Sequence, residues 1–523
     1  MTSAKVVEIQ AIREQVLARR SAEAQAAEAR DPSGDIATRF VLECFRANEL
    51  GDGMLFAESN RNDFLYLETL CEWLCWNGVH WQRDTLRRRK PAVENVVDLY
   101  LREADAMGKQ MLEAQAVGDK AKFREIKSLR DEIYKRVKKL RSVSGRESCL
   151  EMSTTCPGAL NIRGDDMDQE PWKLACANGV IDLQTGVLRE GYQEDRIFRA
   201  SPVTWQGIDA PCPAWEQFID EIFEGNRPVI AFLQRLLGYC LTGLHTEHIL
   251  PIFVGQGRNG KTTLFETVMK CMGELAGPIR SEMILDQGQP RSADAPSSAL
   301  MDLQGMRLVL GSETDKNQKF SMTRVKLLSG GDTLTGRYPY EKHNRSFEPT
   351  HKLILYTNHL PHAIANDFAF WERLLVIHLR LAFVNRKPVA ENERQQNPEL
   401  PNLLAQEMPG ILAWLVRGCL LYQQVGLAPP PEVKTAVRDF QRDEDYLADF
   451  FEECCELSPE YEVKATDLYD RFEEWFLKNI SSNKNKVPKQ RSFGQDVGKR
   501  FNRWKSEGIM KYKGLRLLPK PQA

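Results

Sequence analysis

The chain has 523 residues, of which 42% are hydrophobic and 28% are charged, and its formal net charge is −2. No apolar run approaches the roughly 18 residues of a membrane span, and the balanced charge argues against a protein coated in positive charge. At roughly 100 to 200 residues per domain, the length predicts several folded units.

The N-terminal segment is rich in Ala, Glu and Arg and ends at "RDPSGD". We interpret residues 1–35 as a helical tail without an assigned function. The segment lacks the apolar core and cleavage site of a secretory signal, so we expect a cytoplasmic protein. The cysteines show no paired spacing typical of a metal site, which predicts reduced and mostly buried thiols.

An aromatic segment follows, in which Trp73, Trp76 and Trp81 flank the turn signal Asn77-Gly78. This pattern predicts a β-hairpin. The tryptophans have two interpretations: packing in a small sheet, which is the commoner use, or stacking on nucleobases.

Residues 119–141 carry apolar side chains three or four positions apart, which predicts a surface helix that packs through one apolar stripe and has basic flanks. The stripe consists of Phe123, Ile126, Leu129, Ile133, Val137 and Leu140. Two more turn signals, Asn178-Gly179 and Thr185-Gly186, predict another hairpin. The acidic residues just before it, at 165, 166 and 168, fit a solvated loop better than a metal site.

From residue 213 a helical pattern leads into the apolar strand "HILPIFVG", and strand-like runs alternate with turns to about residue 380. This alternation predicts a layered α/β domain. After Pro429-Pro430-Pro431 the order helix, helix, strand predicts a winged helix-turn-helix. Basic residues far outnumber acidic ones from Lys478 to Arg516, which indicates a polyanion-binding end.

The sequence "GQGRNGKTTL" has the spacing GxxxxGK[ST], with a strand before it and an amphipathic helix after it. In this motif the backbone N–H groups surround phosphate oxygens, Lys261 neutralises the β- and γ-phosphates, and the Thr262 hydroxyl can bind Mg²⁺. An ordinary glycine-rich loop needs neither the lysine nor the flanking strand. The predicted nucleotide-binding residues are Gly255, Gly257, Asn259, Gly260, Lys261, Thr262 and Thr263.

Hydrolysis also requires an acid, a γ-phosphate sensor and usually an arginine from a neighbouring subunit. Glu313 follows the strand in "MRLVLGSETDK", Asn358 follows the strand in "HKLILYTNHLP", and Arg373 precedes the strand in "FAFWERLLVIHL". Each alone fits a surface or capping role as well. Their order after the phosphate motif makes them the candidate catalytic residues together with Lys261.

These motifs, with "VKLLSGGDTLTGRYPYEKHNRSFEPTHKLILYTNHLP" between them, resemble the superfamily 3 helicase domain of the phage/plasmid primase family, which is related to poxvirus-type primase-helicases. The resemblance covers about residues 40–460. It implies an AAA+-like P-loop ATPase core that assembles as a ring, usually a hexamer, and moves 3′ to 5′ along single-stranded DNA.

The resemblance also implies roles for particular residues. Lys261 and Thr262 would hold phosphates and Mg²⁺, Glu313 would activate water and support Mg²⁺, Asn358 would sense the γ-phosphate, and Arg373 would reach the ATP of a neighbouring subunit. The segment before Asn358 would line the pore. Its candidate contacts to the DNA backbone are Lys326, Arg337 and Lys342, for which a solvated basic surface is the alternative.

Two departures from the family pattern matter. Ser312 stands where many superfamily 3 proteins have a second acid, so the second protein ligand of Mg²⁺ stays open. The sequence also shows no primase centre, which predicts the helicase part without a primase domain.

The predicted fold is therefore multidomain α/β, with an α+β accessory domain, an AAA+-like core and a C-terminal winged helix. The predicted ranges are 1–35 for the tail, 36–205 for the accessory domain, 206–428 for the ATPase domain and 432–523 for the winged helix. The predicted function is an ATP-dependent replicative DNA helicase of a phage, plasmid or integrated element in a prokaryotic host. The expected partners are ATP, Mg²⁺, single-stranded and forked DNA, further copies of the chain, and a separate primase or polymerase. Two alternatives stay open: a replication initiator that melts an origin, and an ATP-switched structural ring in anti-phage defence.

Overall fold

The computed structural model describes residues 30, 34–288, 297–312, 318–339, 343–364, 367–480, 484, 487–506 and 508–519. The chain divides into two units, Met1–Gly207 and Ile208–Ala523. Both units combine helices with sheets, and parallel and antiparallel strand pairs both occur, so the protein is a multidomain α/β protein with mixed sheets. This division does not test the predicted domain ranges, and nearly all of the predicted tail lies outside the described residues.

The first unit begins with helices and adds two small sheets. Its helices are α1 (Thr38–Arg46), α2 (Glu49–Ser59), α3 (Arg89–Ala92), α4 (Glu94–Ala116), α5 (Lys120–Leu140) and α6 (Val143–Thr155). Its strands are β1 (Phe64–Leu67), β2 (Glu72–Trp76), β3 (Trp81–Arg83), β4 (Asn161–Ile162), β5 (Lys173–Cys176), β6 (Gly179–Asp182) and β7 (Val187–Arg189). Strands β3-β2-β1-β4 form a mixed sheet, and β5-β6-β7 form an antiparallel sheet.

The predicted tryptophan hairpin is confirmed. Trp76 pairs with Trp81 across β2 and β3, and Gly78 adopts the left-handed φ of +98° that the turn requires. Trp81 is buried, and the ring of Trp73 packs edge-on against Phe56 with centroids 6.2 Å apart. The tryptophans therefore pack within the sheet, as the commoner interpretation predicts.

The helix predicted over 119–141 is also confirmed as α5, which buries Ile133, Val137 and Leu140. The predicted second hairpin forms part of the β5-β6-β7 sheet. In the acidic loop before it, Asp168 Oδ1 accepts hydrogen bonds from the backbone N–H groups of Phe198 (2.8 Å) and Arg199 (3.2 Å). Within the described ranges no group of three or more His, Cys, Asp or Glu side chains that could hold a metal ion occurs.

The second unit contains a parallel sheet, three smaller strand groups and the helices that cover them. Its helices are α7 (Pro213–Ile222), α8 (Arg227–Cys240), α9 (Lys261–Met272), α10 (Ser298–Met301), α11 (Met322–Ser329), α12 (Phe368–Trp371), α13 (Leu400–Gln406), α14 (Met408–Val425), α15 (Pro431–Asp443), α16 (Tyr446–Cys454), α17 (Ala465–Asn479) and α18 (Gln490–Gly498). Its strands are β8 (Leu250–Val254), β9 (Ala276–Ile279), β10 (Leu308–Ser312), β11 (Leu334–Gly336), β12 (Arg345–Phe347), β13 (Lys352–Thr357), β14 (Leu374–His378), β15 (Ala382–Val384), β16 (Glu393–Gln395), β17 (Cys455–Lys464), β18 (Asn502–Ser506) and β19 (Ile509–Leu517).

The parallel sheet has the strand order β14-β8-β13-β10-β9. All five residues of β8 are buried, and β10, β13 and β14 are buried along most of their length. Continuous apolar runs of this kind are typical of parallel strands that are covered on both faces. Because every neighbouring pair is parallel, the carboxyl ends of these strands share one edge, where ligands of open α/β sheets usually bind.

At the opposite edge, two buried cations donate to backbone carbonyls of the segment that follows α8. Lys352 Nζ donates to the backbone carbonyls of Thr242 and of Leu244, and Arg307 Nη1 donates to the carbonyl of Leu241. Burial lowers the pKa of Lys352 to about 7. Backbone carbonyl oxygens are strong acceptors, so they provide hydrogen-bond partners for cations that have left water. The sequence predicted the strand but gave no sign that its first lysine is fully buried.

We expect the folded protein to lose stability in acid because of the buried His351, which precedes Lys352. Burial lowers the pKa of His351 to about 3, from 6.5 for an ordinary histidine. Below pH 6.5 the unfolded chain therefore takes up a proton that the native chain does not, so stability falls as the pH drops from 6.5 towards 3. At about 1.4 kcal/mol for each pKa unit, the contribution is a few kcal/mol by pH 4.

We expect His351→Gln to flatten this acid slope, because glutamine does not titrate. Urea denaturation of wild type and variant at pH 7 and pH 4.5 measures the difference. The exposed His343→Gln is the matched control and should keep the wild-type slope. If the free energy of unfolding fell equally between pH 7 and pH 4.5 in wild type and in His351→Gln, the buried His351 would not be the cause of the acid sensitivity.

The C-terminal part of the second unit has a core of its own. Strands β17-β19-β18 form an antiparallel sheet against α17 and α18, and Phe450, Phe472 and Tyr512 are buried there. In contrast, Phe440 of α15 belongs to the core of the parallel sheet. The predicted order of helix, helix and strand after residue 464 is thus observed.

The cysteine prediction is confirmed, since every cysteine is a free thiol and all are buried except Cys71. Among the helices of the described residues, none combines the length and the apolar character that a membrane crossing requires.

Candidate functional site

The predicted phosphate loop connects β8 to α9 at the carboxyl edge of the parallel sheet. Three residues of the loop have left-handed φ angles: Gly257 (+90°), Arg258 (+50°) and Gly260 (+84°). A Cβ atom at Gly260 would also lie 2.8 Å from Ile222 Cγ2 of α7. Glycine at 260 thus meets both a conformational and a steric requirement.

Lys261, the first residue of α9, points back into this loop. Its Nζ donates to Gly255 O (2.6 Å), Asn259 Oδ1 (2.9 Å) and Asn358 Oδ1 (3.3 Å). Burial lowers the pKa of Lys261 to about 8. Within the described ranges no carboxylate forms an ion pair with this lysine, so an anion in the loop would complete its coordination.

The two asparagines add to this environment. Asn358 follows β13, the strand beside β8, and its Oδ1 accepts a hydrogen bond from Lys261 Nζ. Asn259 Nδ2 is buried and has no hydrogen-bond partner in the described structure. A buried donor without a partner is costly, so its position favours an acceptor such as a phosphate oxygen.

The residues after Lys261 begin helix α9. Thr262 is exposed and Thr263 is half-buried. Both lie in the first turn, where free backbone N–H groups and the helix dipole favour negative charge. The loop, the lysine, the unpartnered amide and the helix start therefore fit a phosphate group by charge and by hydrogen-bonding capacity.

A cavity of about 420 Å³ opens beside the loop. It is lined by the residues Ala214, Gln217, Phe218, Glu221, Arg258, Gly260, Thr263, Phe383, Asn385, Gln395, Gln396, Asn397, Leu400, Pro401 and Leu403. The backbone N–H of Phe383 donates to Arg258 O at 2.6 Å, which ties the loop to this wall. Sequence reasoning missed this wall, because residues 383–403 contain two three-residue strands and the start of a short helix but no motif.

The predicted acid, Glu313, lies outside the described residues. The strand that precedes it, β10, ends at Ser312, which is in register with Tyr356 of β13. The strand therefore ends at the same sheet edge as the loop. The assignment of Mg²⁺ to Thr262 and Glu313 stays a prediction.

Arg373 lies at the other edge of the sheet. Its backbone carbonyl accepts from the N–H of Leu250, the first residue of β8, whereas the loop follows the last residue, Val254. At about 3.3 Å per residue these two positions are about 13 Å apart. Arg373 Nη1 donates to Ala369 O, and its buried Nε has no partner among the described residues. Within one chain, Arg373 and Lys261 therefore lie at opposite edges of the sheet.

The three predicted DNA contacts have different surroundings. Lys326 on α11 forms an ion pair with Asp367 at 2.9 Å. Arg337 is half-buried and directly follows β11 of the β11–β12 hairpin. Lys342 lies outside the described residues. All three DNA contacts stay predictions.

Comparison with known proteins agrees with the family that the motifs suggest. Residues 53–224 match the family described as D5 N terminal like. The chain is 24% identical over 332 residues to a "Putative helicase" of Acanthamoeba polyphaga mimivirus, in an alignment that covers 60% of this chain and 34% of the viral protein. It is 23% identical to a "Putative helicase" of Frog virus 3, covering 62% and 41%. It is 21% identical to a "Putative primase" of African swine fever virus, covering 68% and 38%.

The chain is thus similar to the D5 N terminal like family over residues 53–224, and to viral proteins named as helicases and primases over about two thirds of its length. The chain spans about a third to two fifths of the length of these relatives. Among solved structures, the apo A form of the NrS-1 C terminal region aligns at 15% identity, with 71% of this chain and 90% of that chain covered and a TM-score of 0.41. The absence of a primase domain stays a prediction.

Proposed function

We propose that this chain is an ATP-dependent DNA helicase that acts in replication, as the names of its viral relatives suggest. The observation that carries the proposal is the environment of Lys261. A buried cation with only neutral oxygen partners, at the start of a helix and inside a left-handed glycine loop, is suited to a nucleotide phosphate.

ATP and Mg²⁺ are the proposed cofactors. Lys261 and Asn259 Nδ2 would donate to phosphate oxygens, and the exposed Thr262 hydroxyl and Glu313 would hold the metal ion. Bound Mg²⁺ supplies positive charge that neutralises the phosphates. Asn358, which already contacts Lys261, would orient the water that attacks the γ-phosphate. The 420 Å³ cavity beside the loop, with Phe383 and several amide side chains in its wall, has room for the base and ribose.

The strand order supports an AAA+-like core that works as a ring. The loop strand β8 has parallel neighbours on both sides, so side chains from β13 can join the loop at one edge. Arg373 lies at the other edge, which suits an arginine that acts on the nucleotide of a neighbouring subunit. A homohexameric ring is the proposed assembly.

The C-terminal core supports a winged-helix module that binds forked DNA. Helix α18 exposes Arg491 and Gln495, and the β18–β19 ribbon exposes Trp504 beside Lys511, whose Nζ lies 5.4 Å from the ring centroid. In winged helices the second helix and the ribbon are the elements that contact DNA. The viral relatives support an origin in a mobile element, and a separate primase or polymerase is the proposed partner.

Strand displacement on a forked DNA tests the proposal. We expect the wild-type chain to unwind a fork of arbitrary sequence with ATP and Mg²⁺, and single-stranded DNA to raise its ATP turnover several-fold. Lys261→Ala is the inactive control. Melting restricted to an origin sequence would support the initiator instead, and ATP turnover that ignores single-stranded DNA would support the structural ring; either result contradicts the helicase.

A further inference from the structure

Helices α4 and α5 of the first unit pack side by side as a helical hairpin. The inner side of α5 carries Ile133, Val137 and Leu140, which are buried. A residue two positions further along a helix is rotated by about 200°, so Lys135 lies on the side opposite Ile133. The outward side of α5 is therefore defined by the packing of its apolar side.

This outward side carries a stripe of exposed cations, which we call the α5 stripe. Its members are Lys120, Arg124, Lys127, Lys135 and Lys138. Their spacings of four, three, eight and three residues keep them on one face of the helix. At about 1.5 Å per residue the stripe is about 27 Å long. The acid within it is Asp131, so the stripe is strongly positive.

Two other cations of α5 have acidic partners, whereas the members of the stripe have none in the described part of the chain. Arg136 binds Asp52 at 2.9 Å, and Lys139 binds Glu49. Within the described residues no side-chain hydrogen bond or ion pair involves any member of the stripe. Folding thus uses the cations that flank the packed side and leaves the outward row unmatched.

We propose that the α5 stripe binds the phosphate backbone of DNA without reading its sequence. A straight row of Lys and Arg on a rigid helix matches the regular negative charge of a nucleic acid backbone. Tyr134 lies beside the row, but the Arg130 guanidinium covers its ring at 5.4 Å from the centroid. Contact through phosphates is therefore favoured over base stacking. The stripe lies in a different unit from the phosphate loop, so its binding does not require ATP.

The packing of α5 also favours DNA over a lipid surface as the partner. A helix that lies on a membrane inserts an apolar face beside its cations. In α5 the apolar face is buried in the core of its own unit. The charge is thus available for a polyanion, whereas the apolar anchor that a membrane requires is not.

The test is the salt dependence of DNA binding by the full chain without nucleotide. Changing all five stripe residues to Gln should reduce the slope of log K against log salt by about 3.5 on single-stranded DNA, or about 4.5 on duplex DNA, if each contacts one phosphate. The four Lys→Arg changes within the stripe should preserve the slope. Basal ATP turnover without DNA should also be unchanged.

A second five-residue variant provides the matched control, because it removes the same charge from exposed positions of the same unit outside the stripe. Its changes are Arg46→Gln, Arg88→Gln, Lys109→Gln, Lys122→Gln and Arg163→Gln. The control should lose much less of the slope than the stripe variant.

If both variants lost the same amount of the salt-dependence slope, the proposal would be overturned, because the net charge of the unit alone would then explain DNA binding. The proposal would also be overturned if the stripe variant lost binding to vesicles with anionic lipid but retained DNA binding. Because these measurements need no ATP, they can fail while strand displacement succeeds, and the reverse.

Discussion

Lys261→Ala should lower ATP turnover by a factor of at least about 10² to 10³, the loss expected when one preorganised positive donor is removed from a charged transition state. The cause is local. Lys261 Nζ is the buried cation of the loop, and its present partners are the neutral oxygens of Gly255, Asn259 and Asn358. Without Lys261, the described loop has no buried positive charge to neutralise a phosphate. Steady-state ATP turnover measures the effect.

The same variant should not unfold the protein. Burial lowers the pKa of Lys261 to about 8 from 10.5, which means that the charged form is less stable here than in water. Between pH 8 and 10.5 the unfolded chain binds a proton that the native chain has lost, so this lysine makes stability rise with pH in that window. We therefore expect Lys261→Ala to be as stable as wild type at pH 7 or more stable, and to lose this rise.

The exposed Lys270, in the last turn of the same helix, gives the matched control. Lys270→Ala should keep wild-type turnover and the wild-type pH dependence of stability. If Lys261→Ala hydrolysed ATP at the wild-type rate, the loop would not be part of the catalytic site.

The conformation of the predicted phosphate loop could be anticipated from the sequence because all of its requirements are local. The spacing GxxxxGK[ST], the strand before it and the helix after it lie within about 25 residues, and periodicity detects each of them. The contact between Lys261 and Asn358 spans 97 residues, yet it could be anticipated, since the carboxyl ends of parallel strands meet at one edge.

Other features had no sequence signal. The order of the five parallel strands depends on contacts between distant segments. The cavity wall around Phe383 and Gln395 comes from three-residue strands, which are too short for periodicity to detect. The buried Lys352 donates hydrogen bonds to carbonyls about 110 residues away, a contact that no local pattern could show. Lys326, a predicted DNA contact, has an ion pair with Asp367 that spacing alone could not show.

These cases share one physical cause. A sequence pattern reports which side of an element is apolar, but the partner of a charged side chain is set by tertiary packing. Lys261, Lys326 and Lys352 all belong to or adjoin regular elements, yet their partners differ. One faces neutral oxygens in an open loop, one faces a carboxylate, and one faces backbone carbonyls of the segment after α8. The first of these is the arrangement that leaves a cation ready for an external anion.

Arg373 gives the second large effect that we expect. Arg373→Ala should lower ATP turnover by about 10³-fold or more, the usual contribution of an arginine finger. Its strand end and the loop are at opposite edges of the sheet, and for this reason we propose that the side chain acts on the site of another subunit. The variant should therefore bind ATP as wild type does and fail in hydrolysis, whereas Lys261→Ala should fail in both.

Mixing the two inactive variants separates action between subunits from a structural role. In a ring formed at random from equal amounts, about a quarter of the interfaces combine an intact Lys261 with an intact Arg373 from the neighbour, so turnover should recover to at most about a quarter of wild type. Either variant alone, at the same total concentration, is the control. If the mixture stays inactive and Arg373→Ala melts at a lower temperature than wild type, the loss is structural, because the buried Nε and the bond to Ala369 then serve the fold. If it stays inactive with an unchanged melting temperature, Arg373 does not act between subunits, and the ring loses its main support in this chain.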